Sequence, residues 1–150
     1  IERKNQMSNK LVKPHGNEII VDDGSKEYTI KNKRSKVLGK FEFSPTDTNI
    51  VKRYEEVVEF YNSYQLPENP TETDMRTAEE EIMNRISYLV GADAKEAFFS
   101  ILGALSPLAN GELFIENVLS SIAKVIEREM NTRTKKVQSR MNKYVAKYHN

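Results

Sequence analysis

Residues 112–148 read ELFIENVLSSIAKVIEREMNTRTKKVQSRMNKYVAKY. Ile115, Val118, Leu119, Ile122, Val125 and Ile126 recur at the three- and four-residue spacing that places side chains on one face of a helix. Met130, Val137, Met141, Tyr144 and Tyr148 continue a narrower apolar stripe. Thirty-seven residues at 1.5 Å each make a rod of roughly 55 Å, longer than a domain of this size is wide. The pattern therefore predicts a helix that is core along its first half and projects along its second, with Asn131-Thr132 as the expected point of bending or fraying.

The two halves differ in charge as well. Residues 130–150 hold six Lys/Arg (Arg133, Lys135, Lys136, Arg140, Lys143 and Lys147) and no Asp or Glu. Residues 1–41 carry ten cations against five anions, and residues 42–129 carry seven against seventeen. The formal net charge of +1 thus hides a basic start, an acidic middle and a basic end. Segregation of this kind bears on partners and assembly rather than on catalysis.

Upstream, residues 18–43 read as a three-stranded antiparallel meander. Glu18–Val21 is a β-favouring run, Asp22–Ser25 contains an Asp-Gly turn signal, Tyr28–Ile30 alternates, and Asn32–Ser35 is a second polar turn. Val37–Phe43 follows, with Phe41 and Phe43 on one face across Glu42. Such strands need helices to pack against. Ser44–Asp47 breaks the strand pattern and starts a helix near Thr48, carried by Ile50, Tyr54, Val57, Val58, Tyr61 and Tyr64 to about Gln65. Two prolines in Leu66–Pro70 end it. A second helix, capped at Thr71 or Thr73, aligns Met75, Ala78, Ile82, Ile86 and Leu89 and stops at Gly91. Asp93-x-x-Glu96 has the spacing of a capping box for a short apolar helix, and Ser106–Gly111 is a loop. The expected fold is α+β, mainly α: a three-stranded meander, then about four helices, the last long and basic. Residues 1–17 are expected to be a flexible segment, 18–130 the globular body and 131–150 the basic amphipathic helix.

With 150 residues, 38% hydrophobic and 30% charged, the chain is one domain with a lean core that invites burial against a partner or another copy. Its mean hydropathy is −0.65. There are no cysteines, which excludes disulfides, thiol catalysis and Cys-type zinc sites. Ile1–Lys10 has no apolar core of a secretory signal, so a cytosolic home is expected. Met7 offers a start, and Ile1–Gln6 is set aside from the fold argument. Only His15 and His149 could supply imidazole, and neither has a second ligand at metal spacing. The six glycines form no phosphate-binding loop, and no serine sits in a nucleophile elbow. Glu79-Glu80-Glu81 cannot converge, since helical neighbours lie about 100° apart. Glu55 and Glu59 share a face that reads as solvated surface. Lys52–Glu56 and Glu81–Arg85 read as i,i+4 surface pairs. No enzyme chemistry, metal or cofactor is expected.

The functional signal is the basic helix. Its apolar stripe flanked by cations suits a helical or acidic protein partner better than a polyanion, because it lacks an aromatic stacking platform and follows an acidic body. An anionic membrane ranks below both. A solvated helix with macrodipole-favoured cations is the plain alternative.

Three stretches carry a family resemblance: GKFEFSPTDTNIVKRYEEV at residues 39–57, LSPLANGELF at 105–114 and KKVQSRMNKYVAKYH at 135–149. Together they resemble small proteins from the tail-gene region of long-tailed phages and prophages of Gram-positive bacteria, read as tail-assembly chaperones. The resemblance spans residues 18–150. It implies a non-catalytic factor in the host cytoplasm that binds the long helical tape-measure protein while the tail tube polymerises, without staying in the particle. No active-site residues come with it. On this reading Val137, Met141, Tyr144 and Tyr148 make the apolar contact, and Arg133, Lys136, Arg140 and Lys147 attract the partner. The alternatives are a minor tail or connector component, and a nucleic-acid-binding regulator using the basic helix. Self-association is expected in any of these.

Overall fold

A computed structural model describes the backbone of residues 12–149 and the side chains of residues 12–140. The chain order is β1 (Lys26–Lys31), β2 (Val37–Phe43), α1 (Ile50–Ser63), α2 (Glu72–Val90), α3 (Ala92–Phe99) and α4 (Phe114–His149). The fold is mainly helical with a small antiparallel sheet. Two of the three expected strands are present, and β1 pairs with β2 in the register Tyr28 opposite Phe41 and Ile30 opposite Gly39. Glu18–Val21 forms no strand. Asp22 and Asp23 instead close successive side-chain turns, with Gly24 N donating to Asp22 Oδ1 at 2.8 Å and Ser25 N to Asp23 Oδ1 at 2.9 Å. Local side-chain acceptors of this kind compete with ladder formation.

The β1–β2 connection does follow the polar turn signal. Asn32 Oδ1 accepts from the N–H groups of both Arg34 and Lys36, and Ser35 takes a positive φ of 65°. The inward face of the hairpin carries Tyr28, Phe41 and Phe43, and Phe41 meets Phe98 of α3 with centroids 5.2 Å apart. Glu42, between the two phenylalanines, is exposed. Burying one aromatic face of a two-stranded ribbon on a helix is what allows it to persist.

α1 starts two residues later than expected. Asp47 still organises its entry, accepting from Asn49 N at 2.9 Å and pairing with Arg53 at 3.2 Å. α2 opens with a complete capping box between Thr71 and Asp74 and buries Ala78, Ile82, Ile86 and Leu89. Gly91, at φ 110°, lets α3 begin at once. That early start places Asp93 inside the first turn, so the expected Asp93–Glu96 box does not form. The loop after α3 feeds α4 with acceptors. Ser106 O and Ala104 O take the N–H groups of Phe114 and Ile115, and Glu116 reaches back to Leu113 N. These bonds satisfy donors that a helix start leaves open. Glu79 of α2 accepts from Leu105 N at 3.0 Å, and a Cβ on Gly103 would fall 2.6 Å from that carboxylate.

α4 is 36 residues long and runs without a break through Asn131-Thr132. Phe114, Ile115, Val118, Leu119, Ile122 and Ile126 enter the core, and Tyr54 of α1 donates to Leu119 O at 3.1 Å. The core is one cluster spanning the hairpin and all four helices. Among the described residues no helix is long and apolar enough to cross a membrane.

Truncating a fully buried core side chain removes its contacts and leaves a cavity. Ile86→Ala is expected to cost about 2–5 kcal/mol in urea unfolding. Val51, 48% exposed on α1, should lose less than about 0.5 kcal/mol when changed to alanine.

Candidate partner-docking helix

The outer part of α4 is set by what happens at its midpoint. Glu129 follows Ile122 and Ile126 on the core stripe and is 8% exposed. Its carboxylate meets Lys26 Nζ of β1 at 3.3 Å and Arg133 Nε, one turn onward, at 3.4 Å. Burial works to raise the Glu129 carboxyl, but the hydrogen bond and charge of Lys26, with the Arg133 guanidinium, outweigh it. The group is held below the ordinary carboxylate range. Tyr28 lies beside it with its hydroxyl buried and without a hydrogen-bond partner among the described residues. Burial first, then the Glu129 charge, pushes that phenol up.

Arg133 also reaches across to the N-terminal turn. Its Nη1 donates to Gly24 O at 3.0 Å and to Thr46 Oγ1 at 2.9 Å. This guanidinium is thus spent inside the chain, fastening α4 to the entry of β1 and to the β2–α1 junction. Of the other expected contact residues, Lys136, Val137 and Arg140 are exposed, Val137 at 51%. Val137 sits at i+4 from Arg133 and continues the same side of the helix. Met141, Tyr144, Lys147 and Tyr148 lie on helical backbone, but their side chains fall outside the described residues, as does that of His149. Sixteen residues beyond Arg133 carry the helix axis about 24 Å past its last fastening.

Two of the carboxylates in the Glu79-Glu80-Glu81 run, and Glu56, have structural partners. Glu79 binds the 103–105 loop, Glu80 pairs with Lys95 at 3.7 Å, and Glu56 accepts from Tyr88 Oη at 2.6 Å. Glu56 is not paired with Lys52. Arg85 stacks its guanidinium 4.0 Å over the Phe60 ring in place of the Glu81 pair. Among the described residues no three His, Asp or Glu side chains are grouped to hold a metal.

Two features escaped the sequence reading. One is the Lys26–Glu129–Arg133 triad. Its only linear trace is a glutamate on an apolar stripe with an arginine four residues on. The other is a groove of about 620 Å³ between β1 and α4, lined by Tyr28, Ile30, Phe41, Ile101, Ile122 and Val125 among others. Comparison with known proteins finds no matching family model, curated protein or solved structure.

Arg133→Met should lower stability by about 1–3 kcal/mol, because it breaks charged hydrogen bonds to two distant backbone and hydroxyl acceptors. Lys136→Met on the exposed side should change it by less than about 0.5 kcal/mol. Urea unfolding of the two variants separates a fastening cation from a free one. Glu129 has a lowered folded-state pKa, so its contribution is complete above the unfolded carboxylate pKa and is lost as pH falls through the folded one. The stability gap between the chain and Glu129→Gln is therefore expected to narrow on acidification below the ordinary carboxylate range, as read by thermal unfolding against pH.

Proposed function

We propose that the chain is a non-catalytic phage tail assembly factor, a chaperone that holds the tape-measure protein in the bacterial host cytoplasm during tail morphogenesis. One observation carries the reading: α4 continues as helix well past Arg133 with Lys136, Val137 and Arg140 exposed, so it offers an apolar-and-cationic edge outside the body. An elongated helical client exposes apolar stripes that such an edge covers by helix-on-helix packing. The family resemblance of residues 18–150 supports the same role. The contact is assigned to Lys136, Val137, Arg140, Met141, Tyr144, Lys147 and Tyr148. Arg133 drops out as a contact residue and becomes the anchor that aims them. Its loss to the body also weakens the nucleic-acid alternative, since phosphate binding scales with the number of free cations.

Removal of the arm has to spare the anchor. A chain cut after Thr134 keeps Arg133 and should fold, yet fail to keep co-expressed tape-measure protein soluble, whereas the full chain succeeds. Equal solubilisation by the shortened chain would refute the assignment. Mass spectrometry of purified particles should find the protein absent; a stoichiometric amount in the tail would favour a minor structural component.

A further inference from the structure

Glu18–Val21 has the composition of a strand and no strand to join. Ile19 and Val21, on one side of an extended chain, are 88% and 75% exposed, and Ile20 between them is 48% exposed. Meanwhile the sheet has two strands, so β1 is bonded along one edge only and its other edge is unpaired among the described residues. An open strand edge presents a row of N–H and C=O groups that readily accepts another extended segment. This edge lines the groove beside α4, where consecutive residues from Tyr28 to Lys33 form one wall and Ser121, Val125 and Arg128 the other. Tyr28 and Ile30 are only half-buried there.

We propose that Glu18–Val21 of a second copy of this chain adds as a strand to the β1 edge, inside that groove, and that reciprocal exchange closes a two-fold dimer. Three observations single out this occupant. The segment is an apolar run flanked by Glu18, Asp22 and Asp23, and the groove is rimmed by Lys31, Lys33 and Arg128, so the charges are complementary. Ile19 and Val21, two residues apart, fall on one side of an extended segment, and the groove lining of Ile30, Phe41, Ile122 and Val125 offers them apolar contact. The chain's own segment is committed elsewhere: Asp22 and Asp23 are in side-chain turns, Asp23 O accepts from Ser44 Oγ at 2.9 Å, and Gly24 O is held by Arg133. Folding back onto its own β1 would require that stretch to reverse and Arg133 to let go. Donation to a neighbour leaves every one of these bonds intact.

The proposal is independent of the tail-assembly reading and stands or falls without a tape-measure protein. Sedimentation of the full chain should show a concentration-dependent dimer, and the double variant Ile19→Asp/Val21→Asp should be monomeric, with the melting temperature of the parent chain when both are measured at dilutions where the parent is also monomeric. The absence of native cysteine allows a direct contact test. Mixing a Val21→Cys chain with a tagged Ser121→Cys chain under mild oxidation should give a disulfide-linked heterodimer. Three results would overturn the assignment. They are a full chain that stays monomeric at every concentration, a dimer that survives the double variant, and a Val21→Cys/Ser121→Cys chain that cross-links only within itself.

Discussion

A carboxylate on the apolar stripe of a helix is costly to leave alone, and Glu129 is on such a stripe. Its burial requires cations, and they come from two places: Lys26 at the start of the hairpin and Arg133 one turn along its own helix. The rest of the arrangement follows from that requirement. Holding Lys26 fixes the hairpin against α4, and holding Arg133 places its remaining N–H groups against Gly24 and Thr46. One anion thereby sets the register between the N-terminal third of the chain and the last helix. The same point divides α4, with core-packed residues before it and exposed residues 134–140 after it.

The aromatic cluster of the hairpin depends on that register. Tyr28 stands with its centroid 5.0 Å from Phe43, and Phe41 leans on Phe98, so the ribbon is pinned from the sheet side by α3 and at its entry by the triad. Between these two fastenings lies the groove. It exists because the ribbon touches α4 at the Glu129 end and α3 along β2, leaving the middle of β1 apart from Ser121 and Val125. The groove follows from the same constraint that holds the arm.

How much of this was legible follows from where each interaction lies along the chain. The helices were readable because Ala78, Ile82, Ile86 and Leu89, or Ile115, Val118, Leu119 and Ile122, repeat within a few residues. The Thr71 cap and the Asn32–Ser35 turn were equally local. The third strand is absent although Ile19-Ile20-Val21 has β propensity, because pairing depends on an edge being within reach. Asp93-x-x-Glu96 had the right spacing, but Gly91 started the helix earlier than a side-chain cap would. Asn131-Thr132 is a weak helix pair, and a helix already anchored on both sides overrode it. By pattern Arg133 belongs with the partner-binding cations, because its acceptors lie 87 and 109 residues away. Nothing in a linear pattern couples it to Gly24. Lys136, Val137 and Arg140, on the turns after Arg133, are at solvent.

The unbroken course of α4 has a further physical consequence. A free peptide of the composition of residues 135–149 would first have to form a helical turn, an event disfavoured by a factor of roughly 10³. Here the anchored half supplies that turn, and the outer half grows only by propagation from Arg133 onward. Its helicity is templated by the fold of the body and needs no separate nucleation. The ordering entropy of the outer half is thus largely met within the fold of the body.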